Sequence, residues 1–206
     1  MRLSNPSSVF RYNLREISKH ELKLMTHNLE TLSDYLATGL DLVFVGLNPG
    51  LTSVRDGHYF ASPRNRFWKA VNSAGIFDPP LEAETDHLAL EQGIGFTDVV
   101  KRPSAGASDL RVSDFRKWAP VLKDKLERYA PKVVCFHGSV AYRNFLKYAE
   151  GVDLRPELGV QDRPIGESTV FLVPNPSPAN AVYSMNDLVG WYYQLRVLLE
   201  ETTTER

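Results

Sequence analysis

Apolar residues occur along the chain in short continuous runs, and longer stretches with helical spacing separate them. The runs fall at residues 41–46, 96–100, 132–138 and 168–173. They show no alternation of polar and apolar positions, which is typical of strands that are buried on both faces of a sheet. Strands that are separated by helices indicate an α/β fold with a mostly parallel sheet covered on both sides.

The spacing of apolar residues between these runs predicts six helices. They cover residues 20–37, 62–76, 81–95, 113–131, 139–149 and 185–201. Asn65 or Ser62 is expected to cap the second helix, and Pro120 is expected to break the fourth or to begin it. We therefore expect a helical N-terminal extension over residues 1–39, a domain over residues 40–200 and a frayed tail over residues 201–206.

Loops rich in Asn, Pro and Gly follow the predicted strands. The stretches are GLNPG at 46–50, HGS at 137–139 and VPNPSPAN at 173–180, and FTDVV at 96–100 has a similar position. Ligands of open parallel sheets bind beyond the carboxyl ends of the strands. We therefore expect these loops to converge on one crevice.

Composition excludes several classes of protein. No stretch reaches the ~18 apolar residues of a membrane helix, and the N-terminus lacks the pattern of a signal peptide. The single cysteine, Cys135, lies in an apolar run and is interpreted as a core residue. These features predict an intracellular protein, in the cytoplasm with the nucleoid if bacterial and in the nucleus if eukaryotic. The net charge of −1 neither predicts nor excludes a nucleic-acid partner, because local groups of basic residues, such as those at 55–69 and 101–102, can dominate the field at a site.

Known motifs for phosphate, dinucleotide, metal or serine-hydrolase sites are absent from the sequence. The five histidines are scattered and are interpreted as surface or packing residues. The remaining candidate chemistry is that of side-chain and backbone amides. Asn48 offers two donors and one acceptor, so it can hold a water or a base edge, although a simple turn residue would also fit. Backbone N–H groups of the Pro-Gly turn can stabilise an anion, and Tyr59 and Phe60 can stack on a base.

Four motifs carry a more specific match. GLNPGL at 46–51, GHYFASPRNRFWKAVNSAG at 57–75, VVKRP at 99–103 and VPNPSPAN at 173–180 resemble, in order and spacing, the mismatch-specific uracil/thymine-DNA glycosylase family. This family belongs to the uracil-DNA glycosylase superfamily. The resemblance covers about residues 40–200, and the combination of NPG with NRFW is its most specific part.

The resemblance implies a three-layer α/β/α sandwich with a central, mostly parallel sheet, and no metal or organic cofactor. It implies hydrolysis of the N-glycosidic bond of a mispaired or damaged base that is flipped out of double-stranded DNA. In this family the Asn of the first motif positions the attacking water, and this Asn corresponds to Asn48. A neutral Asn with backbone donors suits a transition state in which the sugar becomes positive and the base negative.

The resemblance also implies the other site residues. The base-binding pocket would comprise Gly46, Leu47, Pro49, Tyr59, Phe60 and Asn175, with Phe60 stacking on the base. The last of the four motifs, from Asn175 to Asn180, would approach the minor groove and fill the space left by the flipped base. The expected DNA-binding residues are Ser53, Arg55, Arg64, Arg66, Lys69, Lys101, Pro176, Ser177, Pro178, Ala179 and Asn180.

This chain departs from the family at three places. Asp98 stands where several members have no acid, and an aspartate there can orient or deprotonate water, or stabilise a cationic sugar. We rank it as a second catalytic candidate beside a role in capping a loop. Pro178-Ala179 replaces a larger apolar wedge, which puts the opposite-base preference in doubt. Tyr59 replaces the histidine of thymine-active relatives, which favours uracil over thymine.

The sequence leaves three functional hypotheses. The first is a monomeric, monofunctional glycosylase for uracil opposite guanine, because no lysine within the pocket motifs is placed for lyase chemistry. The second is a nucleic-acid or nucleotide-binding module without turnover. The third is a glycosylase for deaminated purines or etheno adducts, since the width of the pocket decides the base.

Overall fold

Five strands form one sheet in the computed structural model, which describes residues 31–204. The strands are β1 (Leu42–Gly46), β2 (Ile94–Asp98), β3 (Val133–His137), β4 (Gly159–Val160) and β5 (Thr169–Val173). Their order is β2-β1-β3-β5-β4, and only the short edge strand β4 is antiparallel to its neighbour. The predicted mostly parallel sheet is therefore confirmed.

Helices cover both faces of this sheet. They are α1 (Leu51–Asp56), α2 (Phe67–Ser73), α3 (Val112–Tyr129), α4 (Ser139–Phe145) and α5 (Met185–Thr204). Two 3₁₀ helices, Ala83–Gln92 and Ala107–Asp109, and a π-helical turn, Leu146–Glu150, complete the structure. Within residues 31–204, no helix combines the length and the apolar character needed to span a membrane.

Strands β1, β3 and β5 divide their side chains between two hydrophobic clusters. Phe44, Phe96 and Cys135 point to one face, where α2 and α5 cover them. Val43, Val134 and Phe136 point to the other face, where α3 and α4 cover them. This arrangement gives three layers, and it explains why the strand sequences are apolar without alternation.

Several predicted elements differ in length or type. Pro120 lies inside α3 without ending it, and the buried face of α3 around this position includes Ala119 and Leu122. The helix predicted over 62–76 begins only at Phe67, whose N–H donates to Oδ1 of Asn65 at 2.9 Å. Asn65 therefore accepts from the first N–H of the helix, although Arg66 is the N-cap residue, and the preceding residues remain a loop. Helix α1 and strand β4 are too short to give a sequence signal.

The two ends of the described chain also differ from expectation. The helix predicted over 20–37 lies outside the described residues up to residue 30, and residues 31–37 are extended. Tyr35 exchanges two backbone hydrogen bonds of 2.9 and 3.0 Å with Phe96 of β2, because the edge of β2 offers free backbone groups. At the other end, α5 continues to Thr204, which includes part of the expected tail.

Candidate active site

The loops that follow the parallel strands meet at the carboxyl ends of these strands, as their parallel direction predicts. Strands β1 and β2 end side by side at Gly46 and Asp98. Their pairing continues beyond the sheet, since Val100 N–H donates to Leu47 O at 3.0 Å and Ser104 N–H to Pro49 O at 3.2 Å. The loop after β1 is therefore fixed against the loop after β2 over its whole length.

The side chain of Asn48 has a defined orientation. Its Nδ2 donates to Ser104 Oγ at 2.8 Å and to the carbonyl oxygens of Pro49 and Arg102 at 3.1 and 3.2 Å. Carbonyl oxygens only accept hydrogen bonds, so these partners determine which end of the amide is the NH₂ group. No hydrogen bond among the described residues uses Asn48 Oδ1, which is left as an acceptor for a water molecule.

Backbone donors accompany this acceptor. The hydrogen bonds of residues 31–204 include none from the N–H groups of Leu47 or Asn48. Pro49 is buried and Leu47 is half-buried against the α3 side of the sheet. The turn therefore offers the free N–H groups of Leu47 and Asn48 beside the Asn48 side chain, and such groups can stabilise negative charge.

Asp98 lies at the end of β2 directly opposite Gly46. A Cβ atom at residue 46 would be only 2.5 Å from Asp98 Oδ1, so the carboxylate occupies the space of a missing side chain. Asp98 is 5% exposed, and its Oδ2 has no hydrogen-bond partner among the described residues. Burial raises the pKa of Asp98 to about 6, although the nearby Lys101 charge lowers it.

Lys101 does not have the position expected for a phosphate contact. Its side chain is 7% exposed, and its Nζ lies 2.8 Å from Asp34 Oδ1 and 3.6 Å from Asp98 Oδ2. A buried ammonium between two carboxylates cannot reach a DNA backbone without leaving both of them. The assignment of Lys101 to DNA binding is therefore corrected, and its place is beside Asp98.

Phe60 is presented by a strained turn. Its φ of 54° is in the left-handed region, which is rare for a bulky residue and is typical of functional sites. Hydrogen bonds hold the turn on both sides, from Tyr59 N–H to Asp86, from Trp68 Nε1 to Tyr59 O, and from Ala61 N–H to Ser53 Oγ. One face of the Phe60 ring stacks on Phe67 at 3.9 Å. The side chain is half-buried.

Tyr59 and Ser53 support this turn from within the protein. Tyr59 is 3% exposed, stacks on Phe96 at 5.1 Å and donates its hydroxyl to Ser33 O at 3.1 Å. Ser53 is 8% exposed and holds Ala61 N–H. The pocket role expected for Tyr59 and the DNA contact expected for Ser53 stay predictions, because both side chains are buried and support the turn that carries Phe60.

Arg66 binds the loop that contains the motif at residues 173–180. Its guanidinium donates four hydrogen bonds to carbonyl oxygens of the loop 174–184, those of Pro176, Ser177, Asn180 and Tyr183. A phosphate contact by Arg66 would require these bonds to break, so its predicted role is corrected to that of a clamp. We call residues 174–184 the clamped loop.

The clamped loop also has internal hydrogen bonds. Asn175 Oδ1 accepts from Ser177 N–H at 2.9 Å, and Asn180 Nδ2 donates to Asn175 O at 3.0 Å. Pro176 is buried, whereas Pro178 and Ala179 are exposed at the tip. Val182 is 82% exposed. The loop therefore presents small and apolar side chains on a backbone that is held by hydrogen bonds.

The remaining basic residues expected to bind DNA are on the surface. Arg64 and Lys69 are exposed, and Arg55 is exposed while it pairs with Asp56 at 2.6 Å. These positions leave all three accessible to a phosphate backbone.

His137 packs beside the candidate site at the end of β3. It is the last residue of β3 and lies at the carboxyl ends of the strands, where it is 2% exposed. Neither of its ring nitrogens has a hydrogen-bond partner within the described chain. Its ring stacks on Phe44 at 5.2 Å and contacts Phe60 edge-on at 5.3 Å. Burial lowers the pKa of His137 to about 3, although the nearby backbone of Val45 opposes this shift, so the imidazole is neutral at physiological pH. A buried ring with aromatic contacts is that of a packing residue, as the sequence analysis interpreted the histidines.

A metal site is not evident in the part of the chain that the structure describes. No group of three or more His, Cys, Asp or Glu side chains there is arranged to hold an ion.

Comparison with known proteins agrees with this arrangement. Residues 33–195 match the profile of the uracil DNA glycosylase superfamily. The fold is similar to the solution NMR structure of a candidate uracil DNA glycosylase from Methanosarcina acetivorans, with a TM-score of 0.54 and 21% identity over 84% of this chain and 98% of that chain. The profile match spans most of the sequence, and the chain belongs to the uracil DNA glycosylase superfamily.

Proposed function

We propose that the protein is a monofunctional DNA glycosylase that removes uracil, notably uracil opposite guanine, from double-stranded DNA and leaves an abasic site for base excision repair. The observation that carries this proposal is the orientation of Asn48. Its NH₂ group is held by three protein acceptors, so its Oδ1 is available to a water molecule.

The reaction needs little covalent help from the protein. As the glycosidic bond breaks, positive charge develops on the sugar and negative charge on the base. The free N–H groups of Leu47 and Asn48 supply donors for the base oxygen, and the water held by Asn48 adds to the sugar. Ionised Asp98 stabilises the cationic sugar or accepts the proton of that water.

Recognition of the base and of DNA is divided between two loops. The Phe60 ring, supported by Phe67, supplies a face on which a flipped pyrimidine stacks. The clamped loop approaches the minor groove with Pro178 and Ala179 at its tip. Because these side chains are small, we expect weaker discrimination of the opposite base than a large wedge would give.

A single-turnover assay tests the activity. Duplexes carrying uracil opposite guanine, uracil opposite adenine or thymine opposite guanine are incubated with excess protein, and alkali reveals abasic sites. We expect cleavage of the uracil duplexes and slower or no cleavage of the thymine duplex. Asn48→Ala should lower the uracil rate by about 10²-fold or more, because the attacking water loses the acceptor that positions it.

Asn144→Ala serves as the matched control. Asn144 lies on α4, where its Nδ2 donates to Val140 O within the helix, so this variant should retain the wild-type rate. Binding of all duplexes without cleavage of any would contradict the proposal and favour a binding module. Cleavage confined to deaminated purines or etheno adducts would replace uracil as the substrate.

A further inference from the structure

We infer that Lys101 and Asp34 are positioning residues that control the charge and the placement of Asp98. The inference rests on the proposed function, in which ionised Asp98 takes part in the reaction. Asp34 lies outside the sequence motifs of the family, in the extended segment that precedes β1.

Lys101 is shared unequally between two acids. Its Nζ lies 2.8 Å from Asp34 Oδ1 but 3.6 Å from Asp98 Oδ2. The hydroxyl of Tyr59 lies 3.5 Å from the same nitrogen. Lys101 therefore has a direct bond to Asp34 and only a longer ionic contact with Asp98.

Asp34 is the better satisfied of the two carboxylates. Thr97 Oγ1 donates to its Oδ1 at 2.7 Å, and Lys125 of α3 contacts its Oδ2 at 2.6 Å. Burial pushes the pKa of Asp34 upward, but the charge of Lys101 and these hydrogen bonds outweigh burial and lower it.

Asp98 is left with little compensation for its burial. The charged or titratable groups that face it are Lys101, Asp34 and Tyr59, and α3 faces the same space with Trp118, Leu122 and Lys125. Among the described residues, Lys101 alone supplies a cation within ion-pair distance of Asp98. Two neighbouring acids whose pKa values are pushed apart in this way are a common feature of catalytic sites.

The arrangement predicts opposite effects for the two positioning residues. Lys101→Met removes the nearest positive charge, so the pKa of Asp98 should rise by about 1 to 2 units. Asp34→Asn removes a neighbouring negative charge and releases Lys101 toward Asp98, so the pKa of Asp98 should fall. A purely structural role would not give shifts of opposite sign.

Carboxyl ¹³C NMR titration of Asp98 tests the network directly and without substrate. The wild type, Lys101→Met and Asp34→Asn are compared with Lys123→Met as a control, because Lys123 lies on α3 and pairs with Glu127. In the control, the pKa of Asp98 should equal that of the wild type. If Lys101→Met fails to fold, the downward shift in Asp34→Asn decides. An unchanged pKa of Asp98 in both variants, or pKa shifts of the same sign in both, would overturn the inference.

Single-turnover pH profiles connect the network to the reaction. The rate on uracil duplexes should fall at acid pH as Asp98 gains a proton, and this limb should move with the NMR pKa in each variant. A moved NMR pKa with an unmoved acid limb would refute the role of the network in the reaction. Shifted pKa values of Asp98 in a protein without glycosylase activity would support the control of Asp98 by Lys101 and Asp34 and would refute the proposed function.

Discussion

At the scale of single residues, Gly46 permits the closest approach in the site. Its missing side chain leaves the space that Asp98 Oδ1 occupies. The motif GLNPG thus carries two glycines with different tasks, since Gly50 is exposed and a methyl group there would meet no described atom within 4 Å. This pair offers a matched test of whether the position of Asp98 matters.

We predict that Gly46→Ala lowers the single-turnover rate on uracil duplexes by about 10²-fold, because the new methyl group displaces the carboxylate by an ångström or more. Gly50→Ala should keep nearly the wild-type rate. Circular dichroism checks that both variants fold. Equal rates in both would mean that the placement of Asp98 over residue 46 has no part in the reaction.

The sequence indicated Asn48 and Asp98 but not how they are held. The partners of Asn48 include Arg102 and Ser104, which are more than fifty residues away along the chain. The partner of Lys101 is Asp34, which is similarly distant from it. Such contacts arise from strand pairing, and no local pattern reports them. The same limit explains why Arg66 and Lys101 were predicted to contact phosphate.

At the scale of elements, the clamped loop depends on Arg66 at the start of α2. Four carbonyl oxygens accept from one guanidinium, whose donors are fixed in a planar fork. A lysine keeps the charge but cannot reproduce this pattern. The substitution therefore separates a clamp from a phosphate contact.

We predict that Arg66→Lys lowers the single-turnover rate at saturating DNA by about tenfold or more, because the clamped loop loses its fixed position. Amide hydrogen exchange at Ser177 and Asn180 should become faster. Arg64→Lys is the control, since Arg64 is exposed and keeps its charge in the variant. A wild-type rate in Arg66→Lys would return Arg66 to the surface role expected from its sequence.

Strong periodicity made the long elements predictable. Strands β1, β2, β3 and β5 were predicted near their observed bounds because each is a short continuous apolar run, and helices α3 and α5 because their apolar positions repeat over many residues. The segment 31–37 was predicted as a helix but is extended, since the free edge of β2 recruits Tyr35. Helix α1 has only 6 residues, which is too short for a periodic signal.

At the scale of the whole molecule, two buried groups respond to acid in opposite ways. The pKa of Asp98 is raised to about 6 from 3.8, so the native state gains its proton first and is stabilised as the pH falls from 6 to 4. The pKa of His137 is lowered to about 3 from 6.5, so the unfolded state gains its proton first and the native state is destabilised over the same interval. The two contributions offset each other.

We predict that His137→Phe removes one of these two contributions to the pH dependence of stability. Relative to the wild type, its free energy of unfolding should rise by about 1.4 kcal/mol for each pH unit as the pH falls below 6.5. Asp98→Asn should show the reverse trend between pH 6 and 4. Urea unfolding at a series of pH values measures both. Variant and wild-type curves that stay parallel across this range would contradict the assignment of both groups.

The extended segment before β1 has a consequence for any shortened version of this protein. Leu32 lies in the core, Tyr35 covers the outer edge of β2, and Asp34 holds Lys101. A truncation to the residues that carry the family motifs would begin near residue 40 and would retain every one of them. It would nonetheless open a sheet edge to association with other chains and would release the lysine that faces Asp98. We therefore expect the smallest stable unit to start before its first recognisable motif.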